Sequence, residues 1–412
     1  MNILYVDHYA GSPSLGMEFR PHYLAREWVR QGHAVRIVGA SYSHVRIRQP
    51  APTRGSPAHE DGIEYEWLET PRYRGNGVGR AWNIFVFLAR TWFSAGRLVR
   101  ETRPDVVIAS STYPMDIWVA RRIARLSGAR LVFELHDVWP ASPIELGGMS
   151  PRHPFVLLCA RAEAVACRDA DVYVSILPNV AEYLASRGLD LAKLHVVGNG
   201  VDPAEWACDT APLADPVERR ISQAHAAGRI VVGYAGAHGA PNALDTLLDA
   251  AKLLRGEPFD FLLVGDGHEK TRLEERARRE GLHNVTFFAP IAKAQMPTLL
   301  SRVDVAYIGL RREPLFRFGI APNKLMDYMM AGCAIVQAID APNDLVSSTG
   351  CGLTVMPESA EAVAAALRTL GAYPSAARRA MGARGRAYML ANHTWPVLAQ
   401  RFLDAVREPK RA

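Results

Sequence analysis

The chain has 412 residues, 49% of them hydrophobic and 22% charged, with a formal net charge of +6; this length allows two ordinary domains, and the composition excludes a fibre or a disordered chain. No uncharged apolar run approaches the roughly 20 residues that cross a bilayer, which argues against a membrane-spanning protein. The five cysteines (Cys159, Cys167, Cys208, Cys333 and Cys351) form no CxxC pair and no His/Cys cluster at metal spacing, which argues against a disulfide framework and for a reducing cytoplasm.

In chain order, NILYV at the N-terminus is followed at once by Asp7 and has no basic leader, so it reads as a first strand and not as a signal peptide. A helix near Glu18 to Gln31 and a strand at AVRIVGAS follow. Residues 72–103 then hold seven arginines (Arg72, Arg74, Arg80, Arg90, Arg97, Arg100 and Arg103) and one acid, Glu101, interleaved with Trp82, Phe85, Phe87, Trp92 and Phe93. A basic helix with that many large aromatics suits an interfacial segment resting on an anionic membrane surface. Nucleic acid, the other usual partner of basic patches, has no recognisable reader motif here. Strands at DVVIAS, RLVFEL, VYVSI and LHVV continue the series. Asp169-Ala170-Asp171, just before VYVSI, reads as a turn at a helix end and not as a metal-binding acidic pair.

Loop-forming residues cluster between Val174 and Glu205 (LPN, NGVDP), and the alternation then restarts: IVVGYAG, a helix from Asn242 to Leu254, FDFLLVG, NVTFF, DVAYIGL and AIVQAI. Strand and helix alternation means parallel sheets covered on both faces. The expected fold is therefore α/β, two doubly wound Rossmann-like domains facing across a cleft, at residues 1–190 and 191–392, with a last helix in 393–412 crossing back to the first.

Ligands of such sheets bind beyond the carboxyl ends of the strands. The residues found there are Gly11 to Gly16, His136 with Asp137, Gly236 to Gly239, Gly265 to Gly267, and a helix over Pro322–Ala331 closed by Gly332. Pro322 is expected in that helix's first turn, with Lys324 and Asp327 as surface neighbours three residues apart. A lysine there opposes the helix dipole unless an anion sits between them. No GxGxxG follows the first strand and no GxxxxGK[ST] occurs, so neither a dinucleotide fingerprint nor a P-loop is present.

Taken together, REWVRQGHAVRIV, the HD pair after RLVFEL, VVGNGVD, LLVGDG, NVTFFAP and PNKLMDYMMAG resemble the retaining glycosyltransferases of family 4, of the GT-B fold. HDVWPASPIELG with APNKLMDYMMAGCAIVQAIDAPND resembles the subgroup that adds N-acetylated amino sugars such as N-acetyl-fucosamine in bacterial surface-polysaccharide assembly. The resemblance implies a UDP-sugar donor, no metal cofactor, and a polyprenyl-diphosphate-linked glycan as acceptor on the cytoplasmic face of the membrane. It implies catalytic roles for His136, beside the donor sugar, for Lys324, facing the diphosphate, and for Asp327, on the ribose hydroxyls. It implies further donor contacts at Gly16, Asn199, Gly236, His238, Gly239, Pro290, Ile291, Arg317 and Asn323, with Pro290 and Ile291 meeting the base through backbone groups.

The sequence departs from the family pattern in three places. Gly319 stands where the first glutamate of the E-x7-E pattern belongs. Ala237 and Asn242 stand where an arginine and a lysine belong, with His238 and Arg317 able to replace part of that charge. Ala321 stands at the expected helix N-cap, where serine would bond a backbone N–H. The resemblance implies that retention needs no separate carboxylate base, the departing phosphate taking the acceptor's proton. A non-catalytic partner subunit of the same fold and a hydrolysing UDP-sugar epimerase are the alternatives.

Overall fold

The computed structural model describes residues 1–16, 19–53, 55–75, 77–207 and 211–409. The chain forms two compact units, one of Met1–Asn199 with Trp395–Ala412 and one of Gly200–Thr394. The first unit contains β1 (Asn2–Val6), α1 (Arg20–Arg30), β2 (Ala34–Ala40), β3 (Ala58–Glu60), β4 (Ile63–Leu68), α2 (Val78–Thr102), β5 (Val106–Ala109), α3 (Asp116–Ser127), β6 (Arg130–Leu135), α4 (Ala141–Glu145), α5 (Pro154–Asp169), β7 (Val172–Ser175), α6 (Ala181–Ser186) and β8 (Leu194–Val196). Its eight strands form one sheet in the order β3-β4-β2-β1-β5-β6-β7-β8. Ile3 lies in register between Val35 and Val106, and this run of branched residues is buried on both faces, as a parallel sheet requires. β8 pairs with β7, so the first unit runs to Asn199 and not to the expected 190.

β3 and β4 are the antiparallel exception and were not among the expected strands. Asp61 and Gly62 join them with φ of 51° and 77°, the two positive values of a type I′ hairpin turn. Ile63, Tyr65 and Trp67 of β4 face the core. Glu66 is buried too, and Arg97 of α2 takes its carboxylate.

The second unit contains α7 (Asp215–Ala226), β9 (Ile230–Ala235), α8 (Leu244–Leu253), β10 (Phe259–Val264), α9 (Lys270–Arg279), β11 (Val285–Phe288), α10 (Met296–Ser301), β12 (Val305–Gly309), α11 (Asn323–Ala331), β13 (Ala334–Ala338), α12 (Leu345–Thr349), β14 (Gly352–Val355), α13 (Ala360–Ala372) and α14 (Ser375–Asn392). The sheet order is β11-β10-β9-β12-β13-β14, all parallel, with the chain reversing direction across the sheet between β9 and β12. One face packs Leu262, Ile308 and Met329, the other Tyr234, Leu248, Phe261 and Leu367. Pro322 has an extended ψ of 124° and is the N-cap of α11, so it stands outside the first turn, and Ala321 is not the cap. Gly332 closes the helix in the left-handed conformation, as expected.

The last helix, α15 (Trp395–Arg407), belongs to the first unit. Trp395 stacks on Tyr23 at 5.2 Å, Phe402 meets Trp28 at 5.1 Å, and Trp28 Nε1 donates to the carbonyl of Ala399 at 3.1 Å.

Candidate active site

In the first unit β1, β5 and β6 run side by side, and their residues bring Tyr5, Ser110, Glu134 and His136 together. Glu134 lies inside β6 and is fully buried. Its Oε1 accepts from Arg20 Nε at 3.0 Å and Nη2 at 2.8 Å, and its Oε2 accepts from Ser110 Oγ at 2.5 Å and from the Tyr5 hydroxyl. A carboxylate this deep persists only where its lone pairs are used. Burial pushes its pKa up, but the Arg20 charge, with His136 and Ser110, holds the carboxyl well below the usual range. Arg20 opens α1 and also donates to the carbonyls of Val197, at 2.7 Å, and Gly198, and reaches Asn199 Oδ1 at 3.5 Å.

His136 directs Nε2 inward, 2.7 Å from Ser110 Oγ and 3.3 Å from Glu134 Oε2. Burial disfavours its charged form, but Glu134 outweighs burial and raises the imidazole above its ordinary pKa. Asp137 does not join this array. Its carboxylate ties the following turn, accepting from Val138 N at 2.8 Å, Trp139 Nε1 at 3.0 Å and Ser142 Oγ at 2.5 Å. Asp116, at the head of α3, accepts from Ser111 N at 2.7 Å, and burial pushes its pKa up to about 7. Gly16 has a φ of +76°, and a Cβ there would lie 2.9 Å from Ile47 Cδ1, so its tight contact within this unit is with Ile47.

In the second unit two glycine loops meet beyond β9 and β10. A Cβ on Gly265 would lie 1.9 Å from the carbonyl oxygen of Gly236, and one on Gly267 would lie 2.3 Å from that of His238, so only glycine permits the crossing. His238 is fully buried beside the crossing, between Tyr234 and Phe287, and neither ring nitrogen has a partner among the described residues. Burial lowers its pKa to about 4, with Lys270 and Lys324 adding to the effect against Asp266, so the ring is neutral.

Lys324 reaches from α11 to the same place. Its aliphatic stem lies against Gly236, where a Cβ would come 2.6 Å from Cδ, and its Nζ donates to the Tyr234 hydroxyl at 3.0 Å and to Asn242 Oδ1. Both partners are neutral, and burial lowers the ammonium's pKa to about 8. Tyr328 fixes the helix that carries it, its hydroxyl accepting from Ala235 N at 2.8 Å and donating to Ala235 O at 3.2 Å. Lys324 and Asp327 are therefore not a surface ion pair. Burial pushes Asp327 up to about 7, and the charges that bear on it are Lys293, which opposes the rise, and Glu205, which adds to it. Lys293 and Glu205 pair at 2.7 Å.

The structure thus brings Gly236, His238 and Lys324 together, with Gly239 at the end of the same loop, and sets Asp327 one turn along α11 toward Lys293, on the loop that carries Pro290 and Ile291. Asn323 is exposed at the start of α11. Arg317 donates to Pro314 O at 2.7 Å and lies over the Phe318 ring at 4.2 Å. Sequence reasoning missed Arg20, Ser110, Glu134 and Tyr234. It met Asn242 only as a departure, although Asn242 bonds Lys324 and, through Nδ2, the carbonyl of Ala237 at 2.9 Å.

The basic segment is divided by the fold. Phe87 is core, stacked on His8 at 4.7 Å. Arg80 lies over the Tyr9 ring, and Arg97 pairs with Glu66 and Glu101. Val78, Trp82, Phe85 and Phe93 stand 86%, 56%, 57% and 85% exposed, while Arg72, Arg74, Arg100 and Arg103 have no ion-pair partner among the described residues. Between α2 and α3 runs an open groove of about 640 Å³, lined by Phe85, Leu88, Trp92, Trp118 and Leu126, with Arg122 over the Trp92 ring. No described helix is long and apolar enough to cross a membrane.

Residues 16–200 match the glycosyl transferase 4-like domain family and residues 229–372 match the glycosyl transferases group 1 family. An Escherichia coli (strain K12) protein named for colanic acid biosynthesis, the glycosyl transferase WcaI, is 24% identical over 363 residues, covering 83% of this chain and 85% of its own. The fold is similar to that of sucrose-phosphate synthase from Thermosynechococcus elongatus, with a TM-score of 0.73, 16% identity and 99% of each chain covered. It is also similar to the Anabaena protein HepE in complex with UDP and glucose, with a TM-score of 0.67, 16% identity, and 99% of this chain and 100% of HepE covered. Two glycosyl transferase domain families thus match most of a chain folded as two Rossmann-like units, and the protein is a glycosyltransferase of the GT-B fold.

Proposed function

We propose that the protein transfers a sugar, an N-acetylated one, from a UDP-sugar to a polyprenyl-diphosphate-linked glycan during bacterial surface-polysaccharide synthesis, with retention at the transferred carbon. The observation that carries this reading is the Lys324 ammonium, desolvated under Gly236 and held, among the described residues, by the neutral oxygens of Tyr234 and Asn242. A charge not spent on a carboxylate is available to a departing diphosphate, where preorganised positive charge lowers the barrier most. Asp327 would accept from the ribose hydroxyls, and backbone groups at Pro290 and Ile291 would meet the base. Gly16, Asn199, Gly239, Arg317 and Asn323 complete the proposed donor contacts. No metal enters this scheme. The naming of WcaI for colanic acid biosynthesis and the UDP and glucose of the HepE complex support the substrate class.

The exposed aromatics and unpaired arginines of 72–103, extended by the groove against α3, support peripheral contact with the anionic inner face of the cell membrane. Vesicles containing phosphatidylglycerol should sediment the protein, and a Phe85→Glu, Phe93→Glu variant should stay in solution.

Purified protein incubated with a panel of UDP-sugars and polyprenyl-diphosphate-linked acceptors tests the transfer itself: UDP should appear only when one donor and one acceptor are both present. Release of UDP without an acceptor would establish the hydrolysing epimerase instead. No release with any pair, together with no calorimetric binding of UDP at millimolar concentration, would leave the non-catalytic partner subunit.

A further inference from the structure

Glu134 is a whole buried carboxylate spent on two tasks. Oε1 is taken up by Arg20, which makes the charge tolerable inside the sheet, and Oε2 is turned toward Ser110 and His136. The imidazole is thereby held by one edge: Nε2 lies between Ser110 Oγ at 2.7 Å and Glu134 Oε2 at 3.3 Å. Among the described residues no hydrogen-bond partner meets Nδ1, and the side chain keeps 16% of its surface exposed. The ring nitrogen that the protein does not use is therefore the one a substrate can reach. The second nitrogen of a histidine is set by the bond the first one makes.

We propose that Glu134 is a positioning residue which, through Nε2, fixes the plane of the His136 ring and pairs with it as an ion pair, so that Nδ1–H is offered as a charged hydrogen-bond donor to an anionic oxygen of the nucleotide-sugar. This rests on the reading of His136 as a donor-facing residue. The groups that bear on the ring agree with a cation there: Glu134 from β6 favours it most, and Asp7 beyond β1 adds to this, while Arg20 from α1 opposes it. Asp116 from α3 is also coupled to the ring, and Glu163 and Tyr173 line the small cavity behind it. A neutral His136 would present Nδ1 as an acceptor, since Nε2 must then carry the one proton that bonds Glu134. The carboxylate thus decides whether the exposed edge attracts or repels a phosphate oxygen.

Full-length protein carrying labelled histidine, with the His136 resonance identified by its loss in His136→Asn, tests this by proton NMR titration. In the wild type His136 should titrate above the ordinary histidine value of about 6.5, and in Glu134→Gln it should move below the wild-type midpoint. Ser110→Ala, which leaves the Arg20–Glu134 pair intact, should shift it in the same direction by less and serves if Glu134→Gln does not fold. Addition of UDP should perturb the wild-type resonance and raise its midpoint. With the donor and acceptor pair found above, kcat in Glu134→Gln should fall on the order of 100-fold, the effect of a misplaced reacting group. An unchanged His136 midpoint in both variants would overturn the proposal whatever the activity. A midpoint that moves as expected in an enzyme releasing no UDP from any pair would overturn the transfer reading and leave the Glu134–His136 coupling standing.

Discussion

Behind His136 both oxygens of the buried Glu134 carboxylate are answered: it meets a guanidinium, two hydroxyls and an imidazole, and Arg20 spends its remaining protons on the carbonyls of Val197 and Gly198. Around Lys324 the polar groups are also withdrawn from water, His238 fully and Lys324 in part, but are not matched. The ammonium has two neutral oxygens, and the His238 ring has no partner at either nitrogen among the described residues. The first arrangement costs little and holds a side chain still, because a fully connected buried network is rigid. The second is costly, since an unpaired buried polar group loses its hydration without compensation. Such a cost is what a binding site for an anionic, hydroxyl-rich ligand carries before the ligand is bound. On the proposed function, the matched network would hold His136 in place and the unmatched ammonium would meet the departing diphosphate.

The sharpest way to break that division is Lys324→Ala. If the ammonium meets the departing diphosphate, kcat should fall by roughly 100- to 1000-fold, the cost of one preorganised transition-state contact, while the melting temperature stays near wild type. The pH profile carries a second signature. With a pKa lowered to about 8 in the free protein, Lys324 loses its proton as pH rises through that value, so kcat/KM should decline above about 8. A bound diphosphate favours the charged form, so the decline in kcat should lie at higher pH than the decline in kcat/KM. Coincident declines, or a wild-type kcat in the variant, would remove Lys324 from the donor site.

Asp327 gives the next largest effect. Asp327→Asn should raise the donor KM by about 10- to 150-fold, the equivalent of losing about 1.5 to 3 kcal/mol from hydrogen bonds to a charged acceptor, with kcat little changed. Its carboxyl has been pushed up to about 7, so the acceptor form accumulates as pH rises through that value, and donor KM should fall over the same interval. In Asp327→Asn this dependence should vanish. The same raised pKa means that the folded state binds the proton more tightly than the unfolded one. Its contribution to stability is therefore present below the unfolded carboxyl value and lost as pH rises toward 7, the reverse of an ordinary salt-bridged aspartate.

These residues also show which parts of the protein were legible in the sequence. The strands NILYV, RLVFEL, IVVGYA and FDFLLV were visible because both faces of a parallel sheet are apolar and leave continuous runs. β4 was not, because IEYEWL alternates and its carboxylates interrupt the run; the period-two pattern behind Asp61-Gly62 was the available signal. Lys324 and Asp327 were found through a short motif that made them surface neighbours, but the motif did not show their surroundings: Lys324 bonds Tyr234 and Asn242, and the charges bearing on Asp327 are those of Lys293 and Glu205. Glu134 looked like any strand glutamate. Its partner Arg20 lies 114 residues away, and only the sheet order makes them neighbours. Pairings at that distance are set by topology, which a local pattern does not contain.

His238 offers the smallest effect and the finest test of the comparison. Its ring is neutral, fully buried and unpartnered at both nitrogens among the described residues, so in the absence of a ligand it should be a net liability to the fold. An unsatisfied buried polar group costs about 1 to 3 kcal/mol. His238→Leu, of similar size and wholly apolar between Tyr234 and Phe287, should therefore melt at or above the wild-type temperature. If the imidazole is held for the donor, the same change should raise donor KM by roughly 2- to 10-fold, the worth of one ordinary hydrogen bond, with kcat altered less than in Lys324→Ala. Stability gained as affinity is lost marks a residue kept for its ligand. A lower melting temperature with an unchanged donor KM would instead make His238 a packed core histidine, and Lys324 would then be left as the unmatched polar group beside the glycine crossing.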